Sequence, residues 1–251
     1  MDDAELARTL VTEAARIAVS MRVEGISAQQ KTSTAALVTA ADRAAEARIQ
    51  ELLRIGRPGD GLTGEEGASW ASRTGRRWVA DPIDGTYNFV SGLVTWCSAV
   101  ALEEAGRVPA AAVHVPGARE TWVAAGGRVE LNGAEVGPLE DRCLSECSVA
   151  TYLDATNVRD PLALAVVLAV VGAAATLRVS GSGTCDLADV AAGRLGLWIQ
   201  EDCADWDWLP GRALVEGVGG RAEVVEHAGR RWHVAGPPRA VGEALDVVRR
   251  S

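Results

Sequence analysis

Residues 78–89 read WVADPIDGTYNF, and this stretch limits the fold more tightly than any other. A short apolar run, WVA at 78–80, reads as a buried strand and stops at Asp81-Pro82-Ile83-Asp84-Gly85-Thr86. Proline fixes its own φ and drives the preceding residue toward extended backbone. Asp81 and Asp84 can then face one point, with the Ile83 carbonyl turned toward it. Gly85 permits close backbone approach, and Thr86 suits the N-cap of a helix running into Tyr87-Asn88-Phe89, whose first N–H groups form a phosphate cradle. A solvated turn also uses Asp, Pro and Gly. The motif alone therefore leaves two readings open, a turn with incidental acids or a cation site beside a phosphate cradle.

Composition narrows the choice. A chain of 251 residues with 48% apolar content is long enough for one large domain or two tightly joined subdomains. The formal charge of −9 disfavours nucleic acid and anionic membrane as partners. An anionic substrate would then need recruited positive charge, which points to a metal. Five cysteines (97, 143, 147, 185 and 203) without a C-x-x-C pair predict reduced thiols rather than a disulfide framework. The opening MDDAELARTL is acidic and helical in pattern, unlike a secretion signal, so the expected location is cytoplasmic. Residues 161–177, PLALAVVLAVVGAAATL, carry no charge but fall short of the roughly 18–20 apolar residues of a membrane span. They predict a buried or interface helix.

Periodicity gives the organisation. Leu6, Leu10, Ala14, Ile17 and Met21 recur at helical spacing over 4–22, and a second helix fits 39–55, capped by Thr39. Apolar segments at 94–102, 108–115 and 120–125, separated by short turns, predict an antiparallel sheet. Residues 126–142 read as glycine-rich polar connectors. The second half alternates strands (CSVATYL, TLRVS, LGLWIQ) with helices near 161–175 and 184–193. A helix near 208–217 and strands at 221–225 and 231–235 follow. We expect two α/β halves, 1–142 carrying most of the candidate metal ligands and 143–251 carrying the rest.

Several chemistries are disfavoured. Lys31 is the only lysine, which removes a P-loop and a Schiff-base lysine in the second half. His114, His227 and His233 form no metal-binding spacing, and His114 in AAVHVP reads as a core residue. There is no G-x-S-x-G nucleophile elbow. DWDWL at 205–209 resembles the D-x-D element of aspartate-nucleophile phosphatases, but it lies near the C-terminus with no lysine after it.

What remains is acidic. Glu65 and Glu66 lie in a glycine-flanked loop, Asp81 and Asp84 bracket a proline, and Asp207 sits between two tryptophans. Hard cations such as Mg²⁺ take oxygen ligands of this kind. WVADPIDGTYNFVSG closely resembles the first signature of the inositol monophosphatase family, which are Mg²⁺-dependent, lithium-sensitive phosphatases. KTSTAALVTAADRAAE (31–46), GEEG (64–67) and ADWDWLPGRALVEGVGG (204–220) are similar, in order, to three further family segments.

That resemblance implies an α/β (α+β) fold, the five-layer αβαβα sandwich of the inositol monophosphatase and fructose-1,6-bisphosphatase type, usually as a homodimer. It implies Glu65, Asp81, the Ile83 carbonyl, Asp84 and Asp207 as ligands of two or three Mg²⁺ ions, with Mn²⁺ able to substitute. Glu65, with Thr86 and its partner Asp42, would activate the attacking water. The N–H groups of Gly85 and Thr86 would hold phosphate. Gly183, Thr184, Cys185, Gln200 and Asp207 would border a small phosphorylated substrate.

The pattern departs at two positions. Ala36 stands where the family usually has Asp, at a position that is not a direct ligand. Gln200 stands where inositol-directed members carry a Glu that accepts from substrate hydroxyls, and an amide also donates. The expected substrates therefore widen to polyol, sugar, inositol-type or amino-alcohol monophosphates, histidinol phosphate and nucleotide 3′-phosphates. A non-catalytic regulatory or binding protein on the same fold is the rival reading.

Overall fold

The computed structural model of the protein describes residues 1–25, 28–30 and 37–251. Lys31 and Ala36 lie outside the described residues. Helix α1 (Asp3–Glu24) opens on Asp2, whose carboxylate accepts from the Glu5 N–H at 2.8 Å. Strands β1 (Ala28–Gln30) and β2 (Leu37–Thr39) form an antiparallel pair. Helix α2 (Ala40–Gly56) starts on a capping box in which Thr39 and Asp42 satisfy each other's backbone.

Six strands follow with one short helix among them: β3 (Gly61–Gly64), β4 (Ser69–Trp70), β5 (Arg76–Asp84), helix α3 (Thr86–Val90), β6 (Cys97–Glu104), β7 (Arg107–Val115) and β8 (Glu120–Ala125). The strand expected at 78–80 is longer and carries both Asp81 and Asp84. The segment 126–142 is not all connector, since it holds β9 (Arg128–Leu131) and β10 (Ala134–Glu135). Gly126-Gly127 and Asn132-Gly133 all have positive φ, the signature of two-residue hairpin turns, so the glycines mark hairpins rather than loop.

Next come β11 (Ser148–Ala150), α4 (Ala155–Arg159), α5 (Pro161–Gly172), β12 (Thr176–Arg178), α6 (Gly183–Ala191) and β13 (Leu197–Glu201). The last elements are α7 (Asp205–Gly217), β14 (Arg221–His227), β15 (Arg230–Gly236) and α8 (Pro238–Arg250). Helix α7 begins three residues earlier than its apolar pattern predicts, which places Asp207 in its first turn. Among the described residues no helix is long and apolar enough to cross a membrane.

One sheet runs β10-β9-β8-β7-β6-β5-β3-β4 and the other β12-β11-β13-β15-β14. Side chains alternate across each strand and build the three larger cores among the described residues. Trp78, Ala80, Val100 and Leu102 of the large sheet pack under Leu6, Leu10, Ile49 and Leu53 of α1 and α2. Their neighbours Val79, Ala99 and Ala101 face the other way, onto Leu187 and Val190 of α6, Leu214 and Val215 of α7, and Trp198 of the small sheet. On the far side, Ile199, Trp232 and Val234 meet Val166 and Val170 of α5 and Val241 and Leu245 of α8. The order is helices, sheet, helices, sheet, helices, the five-layer sandwich. Helix α5 buries Ala163, Val166, Val167 and Val170 but exposes Leu162 and Leu168.

Candidate active site

The acidic motif sits where β5 leaves its sheet. Asp81 pairs with Ala99 and Asp84 with Cys97, so three steps on β5 oppose two on β6 and the strand bulges at Pro82. The Ser98 hydroxyl donates to the Pro82 carbonyl at 2.6 Å, and the Ile83 N–H donates to Asp81 Oδ1 at 2.9 Å. The bulge turns both carboxylates to one side. Asp207, from α7, completes a group in which Asp81, Asp84 and Asp207 each offer an oxygen within 4.8 Å of the others. Glu65 stands beside Asp81 on the same wall.

Burial and crowding set the charge state. Asp81 is held well above the ordinary carboxyl range, first by burial and then by the charges of Glu65, Asp84 and Asp207. Burial also raises Asp84, against hydrogen bonds that favour its ionised form. Its Oδ2 accepts from the Thr184 N–H at 2.6 Å and the Ser182 hydroxyl at 3.0 Å. Three carboxylates this close repel one another unless a cation lies between them. Their all-oxygen donor set fits a hard divalent ion.

Gly85 is the N-cap of α3, and Thr86 its first helical residue, so Thr86 is not the cap expected from sequence. The cap conformation has φ +91°, and a Cβ there would come within 3.2 Å of the Gly181 and Thr95 carbonyls, so only glycine fits. Thr86 Oγ1 lies 3.2 Å from Asp42 Oδ1 and 3.0 Å from the Ile83 carbonyl. Asp42, fully buried, is fixed by the Thr39 N–H at 2.8 Å.

These elements enclose a cavity of ≈ 230 Å³ lined by Glu65, Asp81, Ile83, Asp84, Gly85, Thr86 and Asp207. Gly181, Gly183 and Gln200 also line it, with Tyr87, Tyr152 and Asp154. The start of α6 packs closely on the Gln200 amide, since a Cβ on Gly183 would lie 3.4 Å from Gln200 Oε1. Thr184 and Cys185 do not line the cavity. Both are buried behind its wall, where the Thr184 N–H holds Asp84 and its hydroxyl donates to the Asp207 carbonyl at 3.2 Å.

Three features were not anticipated. Glu46 on α2, buried, accepts from the N–H groups of Glu66 at 2.8 Å and Ala68 at 3.0 Å and so clamps the turn that presents Glu65. Its only sequence signal is its place as the last residue of the 31–46 segment. Asn88 ties the rim together, donating to the Thr95 and Ser180 carbonyls at 2.7 and 2.8 Å. Tyr152 and Asp154 reach the cavity from the end of β11, in a stretch with no motif.

The family model for the inositol monophosphatase family matches residues 2–244. An inositol-1-monophosphatase of Rhizobium meliloti is 37% identical over 199 residues, 77% of this chain and 74% of the relative. A histidinol-phosphatase of Mycobacterium tuberculosis is 47% identical over 91 residues, 36% of this chain and 35% of the relative. The solved structure of a Thermotoga maritima IMPase superposes with a TM-score of 0.85 at 25% identity, covering 100% of this chain and 98% of that one. The chain belongs to the inositol monophosphatase family and is a phosphatase.

Proposed function

We propose that this family member hydrolyses a small phosphomonoester of the polyol, sugar, inositol or amino-alcohol type, with Mg²⁺ as its working ion. The observation that carries the reading is the meeting of Asp81, Asp84 and Asp207 in a cavity that also exposes Gly85 and Thr86. Glu65, Asp81, the Ile83 carbonyl, Asp84 and Asp207 would hold two or three ions, with Mn²⁺ able to substitute. Cations held there would supply positive charge that stabilises the phosphate and its leaving group.

The chain supplies the rest. The Thr86 hydroxyl donates to Asp42, which leaves its lone pairs to orient a water for in-line attack, and Glu65 takes that water's proton. The N–H groups of Gly85 and Thr86 hold phosphate oxygens. Gly183 and Gln200 border the organic part, while Thr184 and Cys185 support Asp84 from behind. Gln200 is uncharged and donates as well as accepts, which supports a substrate wider than inositol phosphate. The partial match to a histidinol-phosphatase supports including histidinol phosphate among the candidates.

We place the enzyme in a reducing compartment, the cytoplasm, on its five free cysteines. We assign it a homodimer on the exposed Leu162 and Leu168 of α5. Sedimentation at the mass of a monomer would remove that assignment. The function is tested by phosphate release from inositol 1-phosphate, sugar monophosphates, histidinol phosphate and adenosine 3′,5′-bisphosphate. Activity should vanish with EDTA, return with Mg²⁺ and fall with lithium. Full activity after exhaustive chelation would sink the mechanism.

A further inference from the structure

The cavity holds one carboxylate that the cation cluster does not use. Asp154 caps α4, and both cap bonds, from the N–H groups of Thr156 at 2.7 Å and Asn157 at 2.9 Å, go to Oδ1. The side chain is thereby locked in place while half-exposed on the cavity wall. Topology puts it there. Strand β11 runs parallel to β13, with Val149 opposite Leu197 and Ala150 opposite Trp198. The chain leaving β11 therefore reaches the same sheet end as Gln200, in the cavity that Asp81 and Asp84 also line. Tyr152, between them, lies within electrostatic reach of Asp154, Asp84 and Asp207, and burial with these charges raises its phenol, which stays neutral.

Charge decides what this wall can receive. Glu65, Asp81, Asp84 and Asp207 would be answered by the cations, and the phosphate brings further negative charge. Asp154 is a fifth acid, and no lysine or arginine is among the described residues that line the cavity. A neutral hydroxyl could donate to Asp154 but would leave its charge unanswered. An ammonium forms a charge-assisted hydrogen bond there and answers the charge.

Resting on the proposed phosphatase reading, we infer that Asp154 is a specificity-determining residue and that the preferred substrate is a phosphomonoester whose organic part carries a protonated amine.

A matched pair tests this: the phosphate monoester of 2-amino-1,3-propanediol and sn-glycerol 3-phosphate, which differ by an ammonium in place of a hydroxyl. Near neutral pH the wild type should favour the amino ester by about tenfold or more in kcat/KM. That preference should shrink as pH rises through the amine pKa, a readout that needs no variant. Asp154→Asn keeps a capping oxygen, so a melting curve like the wild type's is expected. The variant's kcat/KM ratio for the pair should fall toward one, chiefly through a higher KM for the amino ester. A wild type that hydrolyses both esters equally overturns the inference while leaving the phosphatase reading intact. So does a preference that survives in Asp154→Asn. If neither ester nor any of the sugar, inositol, histidinol and nucleotide phosphates of the wider panel releases phosphate with Mg²⁺, the phosphatase reading fails and this inference fails with it.

Discussion

Asp186 lies buried on α6, two residues past Thr184, and burial pushes its carboxyl up to about 7 against the opposing hydrogen bond from Ser180. The unfolded carboxyl titrates at its ordinary value of 3.8, so between there and about 7 the folded chain binds more protons than the unfolded one. This group's contribution therefore becomes less favourable as pH rises through that window, and the penalty is complete above it. Asn is close in shape to the protonated acid and cannot ionise. Asp186→Asn should stabilise the metal-free protein on the order of 2–4 kcal/mol near pH 8 and change little near pH 4. Melting temperatures in EDTA at the two pH values check this. An equal shift at both would show that ionisation is not the cause.

Helix α2 works on the site through Glu46 as well as through the bond of Asp42 to Thr86. The Glu46 carboxylate receives two N–H groups from the turn after β3, and Gly64 is bare because a Cβ there would fall 2.1 Å from Glu46 Oε1. Gln keeps one acceptor and puts an NH₂ against the other N–H, so Glu46→Gln should loosen the turn that presents Glu65. The expected result is about a tenfold rise in half-saturating Mg²⁺ with the substrate KM nearly unchanged. Calorimetric Mg²⁺ binding, read without substrate, should weaken in parallel. A substrate KM that moves with Mg²⁺ affinity held constant would assign Glu46 another role. At this scale helices α1 and α2 were legible, because spacings such as Leu6, Leu10 and Ala14 and the cap at Thr39 are local signals, whereas α4 and α8 were not expected. Strands β9 and β10 were hidden by the polarity of 126–142, although their Gly-Gly and Asn-Gly turns carried the hairpin signal.

The candidate site joins both sheets and the helical layer between them. Asp81 and Asp84 come from the large sheet, Asp207 from α7, and the groups that hold Asp84 from the start of α6. Metal binding should therefore stabilise the whole sandwich. At ~100 times its Kd, Mg²⁺ should add about 2.7 kcal/mol to the wild type. Asp84→Asn keeps an acceptor for Thr184 and Ser182 while removing one buried charge. Its metal-free melting temperature should match or exceed the wild type's, its Mg²⁺-induced rise should be much smaller, and its phosphatase activity should vanish. Thermal shift beside a phosphate assay checks this, and a variant that stays active would remove Asp84 from the site. The sequence alone determined the family, the helical periodicities and the acids of the motif, because each is written in neighbouring residues. Only the tertiary structure decided that a β5 bulge aims Asp81 and Asp84 together and that Glu46 holds the Glu65 turn across 20 residues. It also turned Thr184 and Cys185 inward and brought Tyr152 and Asp154 to the cavity in their stead. Those outcomes depend on which strand ends and helix starts meet in space, and that is fixed by packing across the sandwich rather than by any local run of residues.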